Sequence, residues 1–332
     1  MPSRGRLLKI LLGLAVSAGL LVYVFRDADV HAIPVLLART HWGLLAASIA
    51  LNLLSLWFRA RRWAFLFPPG AHPVHLFSAV MIGYMGNNLL PLRAGEVVRA
   101  YVVARRGQRF WTTVATMVVE RVLDAIAVGL MLAGLFLLVT VPRELRWAAL
   151  VFISADLALI VALAVVAIAP GRCERVLGRL LGRWPAVEGR ARGIFATVNE
   201  GLSGIRAPHH LLPIVFWSAG IWLLLATVVW TAFRAAHLAL PWGAAWAVLA
   251  LLGLGVSLPS SPGFAGVVQA VVVVALALFS VPRTEALSFS LLLHASQYFP
   301  VTLWGLALLF VEHVSLADAA RTTGVAPPSL RT

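Results

Sequence analysis

The sequence predicts an all-helical protein that crosses a membrane several times. Of its 332 residues, 61% are hydrophobic and only 12% are charged, whereas soluble globular chains have about 25% charged residues. The mean hydropathy is +0.91. This composition excludes a soluble enzyme. The single cysteine, Cys173, excludes an intramolecular disulfide and a cysteine-based zinc site.

Six apolar stretches approach or exceed the length of about 20 residues that a helix needs to cross the hydrocarbon layer. They are residues 7–25, 42–58, 111–140, 147–169, 209–233 and 287–311. Basic residues precede the first stretch, as in a signal peptide, but its apolar run is long and no small-residue cleavage site follows it. We expect this segment to remain as an anchor.

Two further apolar regions are interrupted. Residues 73–105 contain Asn87, Asn88, Pro91, Gly95 and several charges, and residues 243–280 contain the run Leu258-Pro259-Ser260-Ser261-Pro262-Gly263. Unwound backbone is tolerated within a membrane only where it lines a protein-enclosed or watery cavity. The sequence therefore predicts two re-entrant helical hairpins, although two full crossings in the second region would give eight spans.

The positions of the basic residues predict the orientation. Eighteen of the 27 Lys and Arg residues, among them Arg59 and Arg62, fall in loops on the side of Met1, six on the opposite side and three within apolar regions. This bias predicts a multi-pass protein of the cell membrane with both termini in the cytoplasm. The first hairpin would enter from the cytoplasm and the second from outside, an opposed arrangement that suggests an inverted repeat with a transport site.

The first hairpin places charges in an apolar region. Arg93 follows Pro91, and Glu96 and Arg99 lie at i and i+3 on one face of the next half-helix. A charge in hydrocarbon costs at least about 2.5 to 3.5 kcal/mol, so such groups are paired or line a polar path. A structural ion pair would explain Glu96 alone but not the whole set.

The next stretch adds Glu120 and Asp124, which share one helix face at i and i+4. At about 1.5 Å per residue they lie near mid-membrane. Arg121 points about 100° away from Glu120, so we expect the two acids to pair with Arg93 or Arg99. Three arginines and three acids would then balance.

Three ordered motifs resemble the lysylphosphatidylglycerol synthase transmembrane-region family over nearly the whole chain. They are Gly83-x3-Asn87-x3-Pro91-x-Arg93-x-Gly95-Glu96-x2-Arg99, Glu120-Arg121-x2-Asp124 and Pro259-x-Ser261-Pro262-Gly263-x2-Gly266. The resemblance implies a flippase-like domain that moves a modified or glycosylated phospholipid or lipid-linked sugar between leaflets, without a cofactor. No polar globular stretch follows residue 311, so we expect no aminoacyltransferase and no enzymatic activity.

The chain departs from the family pattern at the second hairpin. Phe264 replaces a second glycine, Gln269 stands where the family has a glutamate, and His294 stands where relatives often have an arginine. Gln269 and His294 would replace an ion pair by neutral groups that still form a hydrogen bond. Alternatively, His294 is an ordinary buried histidine bonded to Ser296 or Gln297.

The candidate translocation site collects the polar, charged and turn-forming residues of both hairpins and the following helices. They are Asn87, Asn88, Pro91, Arg93, Gly95, Glu96, Arg99, Glu120, Arg121, Asp124, Ser260, Ser261, Pro262, Gly263, Gln269 and His294. We expect neither a metal nor a catalytic residue among them. One domain would cover residues 1–315, followed by a short cytoplasmic tail at 316–332.

The basic cytoplasmic segment at 170–206 predicts a helix that lies in the membrane interface. Its arginines recur every three or four residues opposite apolar side chains: Arg172, Arg175, Arg179 and Arg183. We expect anionic lipid, and not nucleic acid, to be its partner, and a merely solvated loop is the alternative.

Two other functions stay open. An intramembrane enzyme could act on a lipid phosphate or a polyprenyl carrier, but Ser260 and Ser261 have no His, Asp or Arg within ten residues on either side. A non-transporting accessory of a lipid-modifying enzyme is the other function.

Overall fold

The computed structural model describes residues 4–257 and 260–313, and within them every regular element is a helix. In chain order these are α1 (Arg4–Phe25), α2 (Ala32–Ala38), α3 (Trp42–Ala64), α4 (Leu76–Leu89), α5 (Ala94–Ala104), α6 (Phe110–Leu138), α7 (Arg143–Ile168), α8 (Pro170–Leu181), α9 (Pro185–Gly201), α10 (Ser203–Arg206), α11 (Pro208–Ala235), α12 (Trp242–Gly255), α13 (Val267–Ala277) and α14 (Arg283–Val311). Pro259 and the expected tail at 316–332 lie outside the described residues.

All six predicted spans coincide with helices: α1, α3, α6, α7, α11 and α14. Over their described residues, α3, α7 and α11 are long and apolar enough to cross a bilayer. Helices α6 and α14 have 29 residues each, which is sufficient length, but charged or polar side chains interrupt their apolar sequences. The predicted all-helical, multi-pass architecture is confirmed.

The predicted end of the second span at residue 58 was wrong. Helix α3 continues to Ala64, so Arg59 and Arg62 are helical and buried instead of lying in a cytoplasmic loop. The helix can continue because carboxylates of α6 neutralise both guanidinium groups.

Each interrupted region forms a hairpin of two short helices. Helices α4 and α12 have 14 residues each, and α5 and α13 have 11 each. At 1.5 Å per residue these lengths are about 21 and 17 Å, short of the roughly 30 Å hydrocarbon layer. The helices of the second region are therefore, like those of the first, shorter than a full crossing requires, as a re-entrant hairpin would be.

The first hairpin closes tightly because glycines line the contact between α4 and α5. A Cβ atom added to Gly86 would lie 2.7 Å from the Cα atom of Gly95, and one added to Gly95 would overlap the carbonyl oxygen of Gly83. Only glycine leaves room for backbones at this separation.

The chain contains two copies of the order long helix, hairpin and second long helix, as the expected inverted repeat requires. Helices α3 to α6 form the first copy and α11 to α14 the second, and the two hairpins and the following helices have identical lengths. Helix α3 packs against α11, α14 against the first hairpin, and α6 against the second. The repeats are thus interlocked, and the hairpins meet at their tips.

The apolar core follows this division. One cluster surrounds the first hairpin and includes Trp63, Met81 and Val102. A second cluster surrounds the other hairpin and includes Leu132 and Val248. Helix α7 lies at the edge of both clusters: Ala149 is its one buried residue, and several partly buried apolar side chains pack against the clusters.

Candidate functional site

The two hairpin tips share a sequence pattern and two left-handed backbone positions. Residues 91–95 and 262–266 both read Pro-x-x-Ala-Gly. The second and third residues of each tip have positive φ: Leu92 (59°), Arg93 (55°), Gly263 (68°) and Phe264 (60°). Left-handed backbone is uncommon for residues other than glycine and tends to occur at functional sites.

Equivalent residues of the two repeats meet at these tips. The guanidinium of Arg93 lies 5.4 Å from the centroid of the Phe264 ring and donates a hydrogen bond to the carbonyl oxygen of Val256. Such contacts between matching positions are typical of a two-fold axis. Among the described residues, no carboxylate lies within 4.0 Å of Arg93.

A cavity of about 420 Å³ opens between the tips. Apolar side chains of both tips and of α1 form part of its wall. Its polar lining consists of Asn87, Arg93, Ser257, Ser260 and Ser261. One cation, one amide and three hydroxyls therefore face a common space.

Behind the first tip, Glu120 is the centre of a buried ion-pair network. Two nitrogens of Arg99 bind its two oxygens at 3.1 and 2.7 Å. Arg62 and Arg121 each approach it at 3.9 Å. The guanidinium of Arg99 also stacks 3.7 Å from the Trp63 ring centroid. The Glu120 side chain is fully buried, so these cations offset its desolvation.

Asp124 extends the network to α3. It accepts hydrogen bonds from Arg59 at 2.7 Å and from Arg62 at 2.9 Å. Neither arginine was expected here. Their i, i+3 spacing matches the i, i+4 spacing of Glu120 and Asp124 on the neighbouring helix. This signal could have predicted the pairing, but both arginines were expected in a loop.

Glu96 connects the network to the tip region. It accepts hydrogen bonds from Arg121 at 3.0 Å and from Asn87 at 3.2 Å. The expected pairing of Glu120 with Arg99 is present. The expected alternative with Arg93 is not found among the described residues, because Arg93 points to the opposite tip.

The second tip is supported by a chain of neutral hydrogen bonds. The Gln269 amide accepts from the backbone of Gly266 at 2.8 Å and donates to Nδ1 of His294 at 2.9 Å. Nε2 of His294 lies 2.9 Å from the carbonyl oxygen of Gly263. Because that oxygen only accepts, the ring carries its proton on Nε2 and is neutral.

The hydrogen bond expected between Gln269 and His294 is therefore present. The alternative partners, Ser296 and Gln297, were wrong, because the two ring nitrogens of His294 are bonded to Gln269 and Gly263. Gln269 is only 3% exposed. Both residues support the turn from behind, and neither lines the cavity.

Other predicted site residues occupy structural positions beside the cavity. Asn88 donates to Thr302 of α14 at 2.9 Å. Ser261 both lines the cavity and pairs with Ser17 of α1 at 2.9 Å, a partner that sequence analysis missed. Pro262 also lines the cavity. The turn residues Pro91, Gly95 and Gly263 shape the tips.

The basic segment forms α8 and α9 at the protein surface. The four arginines predicted to meet anionic lipid are exposed: Arg172, Arg175, Arg179 and Arg183. Apolar residues there are exposed as well, including Leu180 at 67% and Trp184 at 60%. This combination is typical of a helix at a membrane interface.

The chain matches the family described as the lysylphosphatidylglycerol synthase TM region over residues 10–305. No curated protein and no solved structure matches it. The matched range contains both hairpins and the buried network, which confirms the resemblance carried by the motifs. The chain therefore belongs to the lysylphosphatidylglycerol synthase transmembrane-region family.

Proposed function

We propose that this protein moves a lipid between the leaflets of the cell membrane, with the headgroup passing the cavity between the hairpin tips. One observation carries the proposal: two hairpins, each too short to cross a bilayer, meet at a cavity that contains Arg93. A lipid that changes leaflet keeps its acyl chains in the hydrocarbon layer, so only its polar headgroup needs a polar passage through that layer.

The interlocked repeat supports movement of one half against the other. Helix α14 of the second repeat packs against the first hairpin, and α6 of the first packs against the second. Rocking of the halves would open the cavity to alternate sides, as in other transporters built from inverted repeats.

The buried network would keep the first tip in place during this motion. Arg99 and Glu96 of α5 are paired with Glu120 and Arg121 of α6, and Arg62 joins α6 to α3. These pairs fix the helix that directly follows Arg93.

A transporter is favoured over an intramembrane enzyme. Glu96, Glu120 and Asp124 are each held by arginine, and no carboxylate or histidine lines the described part of the cavity. The cavity serines therefore lack the adjacent base that activates a nucleophile.

We further propose that both termini face the cytoplasm and that the exposed arginines of α8 bind anionic lipid of the inner leaflet. The bias of basic residues toward that side supports the orientation. The exposed apolar and basic side chains of α8 and α9 support contact with the leaflet.

The proposal is tested by reconstituting the full chain into vesicles with lipids that carry a fluorescent acyl chain. A membrane-impermeant reductant then bleaches label in the outer leaflet, and mass spectrometry scores chemical products. We expect leaflet exchange without a product, and about tenfold slower exchange for Arg93→Gln. Arg146→Gln, which removes an exposed arginine of α7, is the matched control. A new lipid product would support an enzyme instead, and exchange equal to protein-free vesicles would contradict transport.

A further inference from the structure

The charges around the tips do not balance. Five arginines and three acids meet in the first repeat: Arg59, Arg62, Arg93, Arg99 and Arg121 with Glu96, Glu120 and Asp124. Arginine remains protonated in proteins, and carboxylates bound to arginine remain ionised. The cluster therefore has two more positive than negative charges, where the sequence predicted neutrality.

The second repeat supplies no compensating charge. Counting from the first residue of α6 and of α14, the positions equivalent to Glu120, Arg121 and Asp124 are Leu293, His294 and Gln297. At the tip, Phe264 is equivalent to Arg93. All of these replacements are neutral, since His294 is held as a neutral ring.

Within this cluster, Arg93 is the cation that lines the cavity; Arg121 is 46% exposed but paired with Glu96. The other four arginines are paired with carboxylates behind the first tip, whereas Arg93 lines the cavity and donates to one backbone carbonyl. A guanidinium has five N–H donors, so most of its donors remain available. The hydroxyls of Ser257 and Ser260 line the same cavity.

We propose that the cavity accepts a headgroup of net negative charge through its phosphate and rejects a lipid made cationic by an aminoacyl group. This inference rests on the proposed translocation. A phosphate matches the guanidinium fork and the hydroxyls. An ammonium group would meet Arg93 and find no carboxylate on the described wall. Such like-charge contact discriminates between ligands by repulsion.

Binding of defined probes tests this selectivity without requiring transport. The full chain, purified in an uncharged detergent, is mixed with short-chain phosphatidylglycerol, its lysyl ester, short-chain phosphatidylcholine or inorganic phosphate, and thermal stability is measured. We expect phosphatidylglycerol to raise the melting temperature at concentrations at least about tenfold lower than its lysyl ester. Because the acyl chains also contribute to binding, we expect inorganic phosphate to raise the melting temperature only at higher concentrations than phosphatidylglycerol.

Variants at Arg93 identify the site responsible. Arg93→Gln should abolish the preference, and Arg93→Glu should reverse it, whereas Arg146→Gln should leave it unchanged. Equal or tighter binding of the lysyl ester by the unmodified chain would overturn the proposal, as would a preference that survives both Arg93 variants. Leaflet exchange of the same lipids is then measured. Selective binding without leaflet exchange would contradict the proposed translocation but support the charge selectivity of the cavity.

Discussion

Arg62 donates a 2.9 Å hydrogen bond to Asp124, joining α3 and α6 at a position where the arginine is fully buried. The same guanidinium lies 3.9 Å from Glu120. It therefore bridges Glu120 and Asp124, which lie one turn apart on the same face of α6. This relationship makes Arg62 the central cation of the network.

Removing one member of the network should destabilise the protein. Arg62→Gln or Glu120→Gln leaves a buried partner unpaired, which typically costs about 3 to 5 kcal/mol. We expect a marked fall in melting temperature in detergent, while Arg146→Gln changes it little. A double charge exchange at the more exposed pair, Glu96→Arg with Arg121→Glu, should recover part of the loss of either single change. Melting temperatures close to that of the unmodified chain would show that the network does not support the fold.

Gly95→Ala should disrupt the first hairpin. Its added Cβ atom would overlap backbone of α4, and backbone cannot rotate away as a side chain can. The matched control is Gly134→Ala in α6, where an added Cβ atom meets nothing within 4 Å and alanine favours a helix by about 1 kcal/mol. Gly95→Ala should lower the melting temperature and slow lipid exchange, whereas Gly134→Ala should do neither. Equal behaviour of the two variants would argue against the close helix contact.

The two hairpins should open to opposite sides of the membrane. On a Cys173→Ser background, cysteines at His72 and Arg109 flank the first hairpin, and cysteines at Ala239 and Ser280 flank the second; all four positions are exposed. A membrane-impermeant thiol reagent should label the first pair only from the cytoplasm and the second pair only from outside. Labelling within either pair from both sides would contradict a re-entrant hairpin.

Gln269→Glu should make transport sensitive to pH. A carboxylate can still accept from Gly266 but can no longer donate to His294, so it favours a protonated ring. The resulting ion pair is present at low pH and lost as the pH rises and the ring loses its proton, leaving two acceptors in contact. We expect exchange by the variant to fall on the alkaline side, relative to the unmodified chain. Identical pH profiles of the variant and the unmodified chain would mean that the contact between position 269 and His294 does not affect transport.

The sequence by itself determined the class of fold and most of its helices. Apolar stretches of about bilayer length predicted the positions of all six long helices, because a long helix in lipid must have an apolar surface. Proline and glycine at positions 91–95 and 262–266 predicted where the two hairpins turn. The ordered motifs identified the family.

Only the tertiary structure decided which charges are partners. The sequence pattern predicted Arg59 and Arg62 in a loop, since a basic cluster after an apolar stretch normally marks the end of a span. Packing of α3 against α6 instead buries them beside carboxylates more than sixty positions later in the chain. Such distant pairing leaves no local periodicity. For the same reason, only the packing of the two repeats shows that Arg93 lies opposite Phe264. The same packing shows that the charge cluster has more arginines than carboxylates.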